Sequence, residues 1–274
     1  LAHALRLQNK MGENADQIQA LLARDPEDSF THTNAGWAAL QNGDRKKAEK
    51  HFLEALRIDP GYDSAREGLK ESFKARSPFY RSYLTYCFFM QRMSRGLQWA
   101  FVIGLYLIIR FTRSFFTGSL AWVGLLVSAL YLLFVLWVHM ASGVGNLMLY
   151  LDRFARHALL RREKVEAVVV GGGVLFGLLA LSAGALLRNF PLLILGITAI
   201  GAAMPFAHTF TNDSAVGKWL FGAFGVFILL SGLLMACSLS ASGTAAPFIH
   251  AAAGLSVLLI VLTTWLAGLR SLNK

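Results

Sequence analysis

Residues 34–60 read NAGWAALQNGDRKKAEKHFLEALRIDP, and their spacing decides how the first third of the chain folds. Ala35, Gly36, Ala48 and Ala55 recur at helical steps, Phe52 lies between the last two, and Gly43-Asp44 divides the stretch. Small residues allow two helices to approach closely, and Gly43 supplies a stop for the first. Pro60 ends the second helix. Its counterpart, Pro26 in ARDPED, lies 34 residues earlier, and each proline follows an aspartate.

A period of this length is the mark of a helical array. In register, Gly36, Gly43, Ala48, Phe52, Ala55 and Pro60 resemble the tetratricopeptide repeat, although His32 and Ala39 stand where that pattern has aromatic residues early in its first helix. The resemblance covers about residues 15 to 76 and implies antiparallel helical hairpins that bind a protein partner. An earlier, poorer hairpin carries Ile18, Leu21 and Leu22, and DSAREGLKESFKAR, residues 63–76, is similar to the solvating helix that closes such arrays. About three repeats are needed to bury a continuous core. This array of two is therefore expected to continue upstream of Leu1 or to lean on another protein.

With Ala35, Gly36 and Ala39 turned to the partner helix, Phe30, Thr33, Asn34, Trp37 and Gln41 are left for the groove-forming face. Trp37 reads either as packing against a neighbouring repeat or as an aromatic anchor for a partner segment. Repeats of this family that capture C-terminal carboxylates place Lys or Arg beside an Asn. No basic residue joins Asn34, which argues against a carboxylate clamp.

The rest of the chain is of another kind. Hydrophobic residues make up 55% of the whole, charged residues 15%, and the mean hydropathy is +0.49, which points to a membrane protein. Residues 1–95 hold 15 of the 26 Lys and Arg and 12 of the 16 Asp and Glu, so the net +10 is concentrated beside apolar spans. Bilayer topology, not nucleic-acid binding, explains that excess. The predicted architecture is all-α: a helical domain over 1–76, an interfacial amphipathic helix over 77–96, and a transmembrane bundle over 97–274. Runs long enough for about 30 Å of hydrocarbon fall at 97–116, 119–141, 166–187, 191–210, 218–238 and 247–269, making six spans. The bundle resembles bacterial membrane proteins that carry such repeats.

In SPFYRSYLTYCFFMQRMSRG, residues 77–96, Tyr and Phe accompany Arg81, Arg92 and Arg95, a mixture suited to the headgroup layer. Burial within the helical domain is the alternative. The 142–165 connection carries Arg153, Arg156, Arg161, Arg162 and Lys164, and 151–164 reads as a basic amphipathic helix facing anionic lipid headgroups or an acidic partner. With Lys218, Arg270 and Lys274, these charges place both termini on the cytoplasmic side of a bacterial cytoplasmic membrane. Arg110, Arg113 and Arg188 fall on the opposite side.

Within the spans, Gly173 and Gly177 form a GxxxG stripe for close packing, and Pro205 is expected to kink its helix. No Asp, Glu or Lys falls mid-span, and Asp152 and Asp213 lie at span ends, so a carboxylate relay finds no support. His139 and His208 lie toward the cytoplasm and His250 toward the outside, which gives no obvious convergent ligand set. Cys87 and Cys237 form no disulfide framework. With no catalytic motif, metal site or cofactor site in view, the sequence predicts a membrane-anchored scaffold that works by protein association, or else a membrane enzyme or transporter regulated by its repeats.

Overall fold

A computed structural model describes residues 11–116, 118–153, 155–242 and 247–266; within helices the side chains of 11–16, Arg95, Arg113, Ser119, Ser242, Phe248 and Trp265 are excepted. Expectations for residues 1–10, for the end of the sixth span at 267–269, and for Arg270 and Lys274 lie outside that description. Every regular element among the described residues is helical. The chain divides into two compact units, residues 1–137 and 138–274.

The first unit opens with α1 (Met11–Arg24), α2 (Ser29–Gln41), α3 (Arg45–Ile58) and α4 (Asp63–Lys74). Asp28 caps α2 by accepting from the backbone N–H groups of Phe30 and Thr31, and Asp44 caps α3 by accepting from that of Lys47. Between the two helices Gly43 takes φ +82°, a conformation that glycine adopts without steric cost. Phe52, 0% exposed, lies at the centre of the core with Ala39, Leu40, Ala48, Ala75, Tyr80 and Leu84.

Tyr80 and Leu84 belong to α5 (Pro78–Arg92), the segment expected to lie on the headgroup layer. Pro78 opens it, where the missing N–H costs nothing. Its inner face completes the core of the helical domain through Tyr80 and Leu84, while Phe79, Arg81 and Phe89 are exposed. Two apolar helices follow, α6 (Arg95–Phe115) and α7 (Ala121–Leu151), and the first unit ends at Trp137 within α7.

The second unit takes the remainder of α7, then α8 (Arg161–Glu166), a π-helical turn over Ala167–Gly171, α9 (Gly172–Leu186), α10 (Phe190–Thr211), α11 (Ala215–Ser242) and α12 (Pro247–Leu266). Among the described residues four helices are long and apolar enough to cross a membrane: Ala121–Leu151, Arg161–Leu186 taken through the π turn, Phe190–Thr211 and Ala215–Ala241. The first and sixth expected spans correspond to shorter apolar stretches, Gly96–Thr112 and Ile249–Thr264.

The basic connection needs correction. α7 continues to Leu151 and absorbs the first ten residues assigned to it. No single helix then runs over 151–164. Asp152 accepts from the backbone N–H of Ala155 at 3.0 Å, a 3-10 turn occupies Ala155–Ala158, and a new helix begins at Arg161. The Glu163 carboxylate accepts from the Leu160 N–H at 2.8 Å and so starts that helix. Arg153 and Arg156 therefore stand exposed around the turn while Arg161, Arg162 and Lys164 belong to α8, and the five share no helical face.

Candidate functional site

In the helical domain the five residues assigned to the groove are not one open surface. Phe30 is 53% exposed. Thr33 and Asn34 are buried, and the Asn34 amide donates to the Phe30 carbonyl at 3.1 Å, inside its own helix. Trp37 is half-buried, with its ring edge-on to Phe52 at 5.5 Å between centroids. That contact is core packing inside its own repeat, not against a neighbouring one. Ile18 and Leu22 of α1 pack on Ala35 and Ala38, so α2 already has a partner on that side. Gln41 is half-buried and joins Leu40, Arg45, Arg81, Leu84 and Phe88 in lining a cavity of about 420 Å³ between the α2–α3 turn and α5.

α5 has two working faces. On one, Tyr80, 2% exposed, donates its hydroxyl to Glu71 Oε2 at 2.7 Å, while Lys74 Nζ holds Glu71 Oε1 at 2.9 Å and lies 5.3 Å over the Tyr80 ring. Burial, reinforced by the Glu71 carboxylate, keeps the Tyr80 phenol well above its ordinary pKa. Burial likewise raises Tyr83, with Cys87 beside it, and raises the Cys87 thiol itself. On the other face, Phe79, Tyr83 and Tyr86 gather around Trp137 of α7 at centroid distances of 6.5, 6.0 and 5.9 Å. Phe134 closes the cluster, edge-on to Tyr86 at 5.4 Å. Arg81 and Arg92 are exposed, and the Arg95 side chain lies outside the described residues.

The second unit contains a polar seam that the sequence reading did not connect. His139 Nδ1 on α7 and His208 Nε2 on α10 are 3.1 Å apart, and the Phe221 ring of α11 lies 5.4 Å from the His208 ring. His250 is exposed on α12 and belongs to no such pair among the described residues. Seven residues beyond His139 on α7, Asn146 donates its amide to Glu166 Oε2 at 3.0 Å. Between these pairs the backbones almost touch: a β-carbon on Gly171 would lie 2.7 Å from the Gly143 carbonyl oxygen, and one on Gly143 would overlap Val170. Glu166 heads its apolar run, which is why a search for mid-span charge passes over it. The legible signal was an Asn in the same apolar stretch as His139 and Gly143, at helical spacing.

Other contacts hold this unit's helices in place. Arg162, assigned to the membrane surface, donates to the Asn212 carbonyl at 2.6 Å, satisfying the C-terminal end of α10. Ser231 and Ser256 share a 2.6 Å hydrogen bond between α11 and α12. Gly177 is a true close approach, since a β-carbon there would lie 2.9 Å from the Gly196 carbonyl oxygen. Gly173 is not, because its nearest contact would be 3.9 Å away. The tight glycines of this stretch are Gly171, Gly177 and Gly184, not a GxxxG pair.

These features define a class: an all-helical membrane protein with a compact helical domain ahead of its apolar helices. No protein-family model, curated protein or solved structure matches the chain.

Proposed function

We propose that this chain is a membrane-fixed adaptor, in which a tetratricopeptide-like domain displayed by a six-span bundle recruits a protein partner. The single observation that carries this reading is the double engagement of α5. Tyr80 and Leu84 are part of the helical domain's core, while Phe79, Tyr83 and Tyr86 grip Trp137 on an apolar helix. A domain tied in this way presents its surface in a fixed orientation, which lowers the ordering cost of binding. Aromatic residues gathered at one level of a long apolar helix also suit the membrane–water interface. In this reading that interface faces the cytoplasmic side of a bacterial inner membrane, which the excess of Lys and Arg in the connections favours, and exposed Arg81 and Arg92 suit anionic lipid headgroups. Phe30 is the exposed aromatic residue through which the partner would be held.

The test is gentle detergent extraction from native membranes followed by sizing. The full chain should elute within a larger complex, and removal of residues 1–76 or Phe30→Glu should release it. Unchanged elution of both variants would exclude the adaptor role.

The His139–His208 contact favours a second reading, a membrane enzyme or transporter regulated by the helical domain. Haem absorbance, quinone or metal in the purified chain, lost in His208→Ala, would support it.

A further inference from the structure

We propose that the cavity between the α2–α3 turn and α5 holds one anionic amphiphile, its acidic head on Lys46 and Arg81 and its hydrocarbon chain along Leu84 and Phe88. The inference goes beyond the adaptor reading, because it concerns a small ligand of the helical domain and its test involves no protein partner.

Among the described residues, three cations line the cavity against one carboxylate. Arg45 is engaged by Glu49, which Arg76 also approaches at 3.6 Å. Asp44, the carboxylate, accepts from the Lys47 N–H at 3.0 Å as the cap of α3. Lys46 and Arg81 are exposed, and neither is in an ion pair with another described residue. Two cations are therefore left for an anion from outside the chain. The planar guanidinium of Arg81 suits a phosphate or carboxylate head, and Lys46 adds a point charge. The Thr85 hydroxyl donates back to the Arg81 carbonyl at 3.0 Å, so it offers no hydrogen to a ligand.

The remaining wall is apolar. Leu84, 7% exposed, and half-buried Phe88 bring the core of the helical domain to the edge of the cavity, with Leu40 and Ala75 beside them. Arg81, Thr85 and Phe88 recur at i, i+4 and i+7, so one row runs from charge to hydrocarbon over about 10 Å of helix. Its apolar end adjoins an apolar helix. Phe89, the next residue, meets Phe101 of α6 at 6.5 Å between centroids, and Gln98 of α6 donates to the Met90 carbonyl at 2.8 Å. That continuity selects a membrane amphiphile over a soluble anion. The volume, about 420 Å³, suits a small molecule. A partner helix, about 10–12 Å across, would exhaust it in less than one turn.

Dodecyl phosphate, titrated into the full chain in a neutral detergent and counted by native mass spectrometry, tests the site. One equivalent should bind, and inorganic phosphate should bind at least about tenfold more weakly because it lacks the chain. Dodecanol, which keeps the chain and lacks the charge, should not be retained. Arg81→Gln and Lys46→Gln should each weaken binding about fivefold. Thr85→Trp, which fills the cavity and keeps both cations, should abolish it, whereas Arg92→Gln, outside the lining, should leave it unchanged. All four positions are exposed, so these variants keep the core intact. Equal binding of inorganic phosphate would assign the cavity to a free anion and overturn the lipid. Unaltered binding in Thr85→Trp, or an equal loss in Arg92→Gln and Arg81→Gln, would put the amphiphile on the general surface and overturn the site.

Discussion

Gly68 of α4 lies against the ring of Phe52 of α3 with no space for a side chain: a β-carbon there would overlap Cε1 and Cζ. Gly36 of α2 meets the same ring, and its β-carbon would be 2.6 Å from Cε1. One phenyl ring thus sets the separation of three helices. Gly68→Ala should destabilise the helical domain by about 1–3 kcal/mol, the usual cost of overpacking a closed core. Phe52→Leu in the Gly68→Ala background should recover part of that loss. Trp37, edge-on to Phe52, makes the domain's unfolding visible by fluorescence. A neutral Gly68→Ala would show that the ring can move aside.

The helical domain should lose stability as the medium becomes acidic. His32 Nε2 lies 3.0 Å from the Pro26 carbonyl, so it carries the hydrogen, and His32 Nδ1 accepts from His51 Nδ1 at 3.1 Å. Burial, then His32, then Lys47 lower the His51 pKa. For a base whose folded pKa lies below its unfolded value, the neutral form favours folding. Its contribution is full above the unfolded value of about 6.5 and is lost as the pH falls from there toward the lowered one. His51→Gln should flatten this part of the profile in thermal unfolding at stepped pH. An equal acid slope in the variant would assign the effect to another group.

The helical domain was legible because its signals are local: small residues at helical steps, a turn glycine and a proline at each repeat end. Hydropathy alone located the apolar helices. The ends of the 142–165 connection were not legible, since periodicity continued through Asp152 while a cap bond at Ala155 ended the helix. The face of α2 was misjudged for a related reason. Thr33 and Asn34 are polar, but α1 packs against that helix and the Asn34 amide turns back to its own backbone. Pairing across helices was the least legible. His139 and His208 are 69 residues apart, Asn146 and Glu166 are 20 apart, and no spacing rule predicts either contact.

The His139–His208 hydrogen bond should give a measurable coupling between α7 and α10. Single and double alanine substitutions, compared by reversible unfolding in mixed micelles, should show about 0.6 kcal/mol of interaction and no more than about 1.7. His250→Ala, on an exposed position, should be additive with either. Strict additivity of the first pair would mean that each histidine is satisfied elsewhere.

Trp137 should control how firmly α5 is held on the apolar helix while leaving the helical domain intact. Its ring meets Phe79, Tyr83 and Tyr86, whereas Tyr80 and Leu84 point into the other core. Truncation of a large buried aromatic costs about 3–5 kcal/mol, reduced here because Trp137 is only partly buried. Trp137→Ala should therefore speed proteolysis within residues 77–96 and leave the Trp37-reported unfolding of the domain unchanged, with Trp137→Phe intermediate. Tyr80→Phe should do the reverse: it removes the hydroxyl bonded to Glu71 and costs the domain about 1–3 kcal/mol, yet leaves the aromatic cluster in place. If Trp137→Ala and Tyr80→Phe instead weaken both readouts equally, the two faces of α5 act as one core, and the helical domain and its apolar helix unfold together.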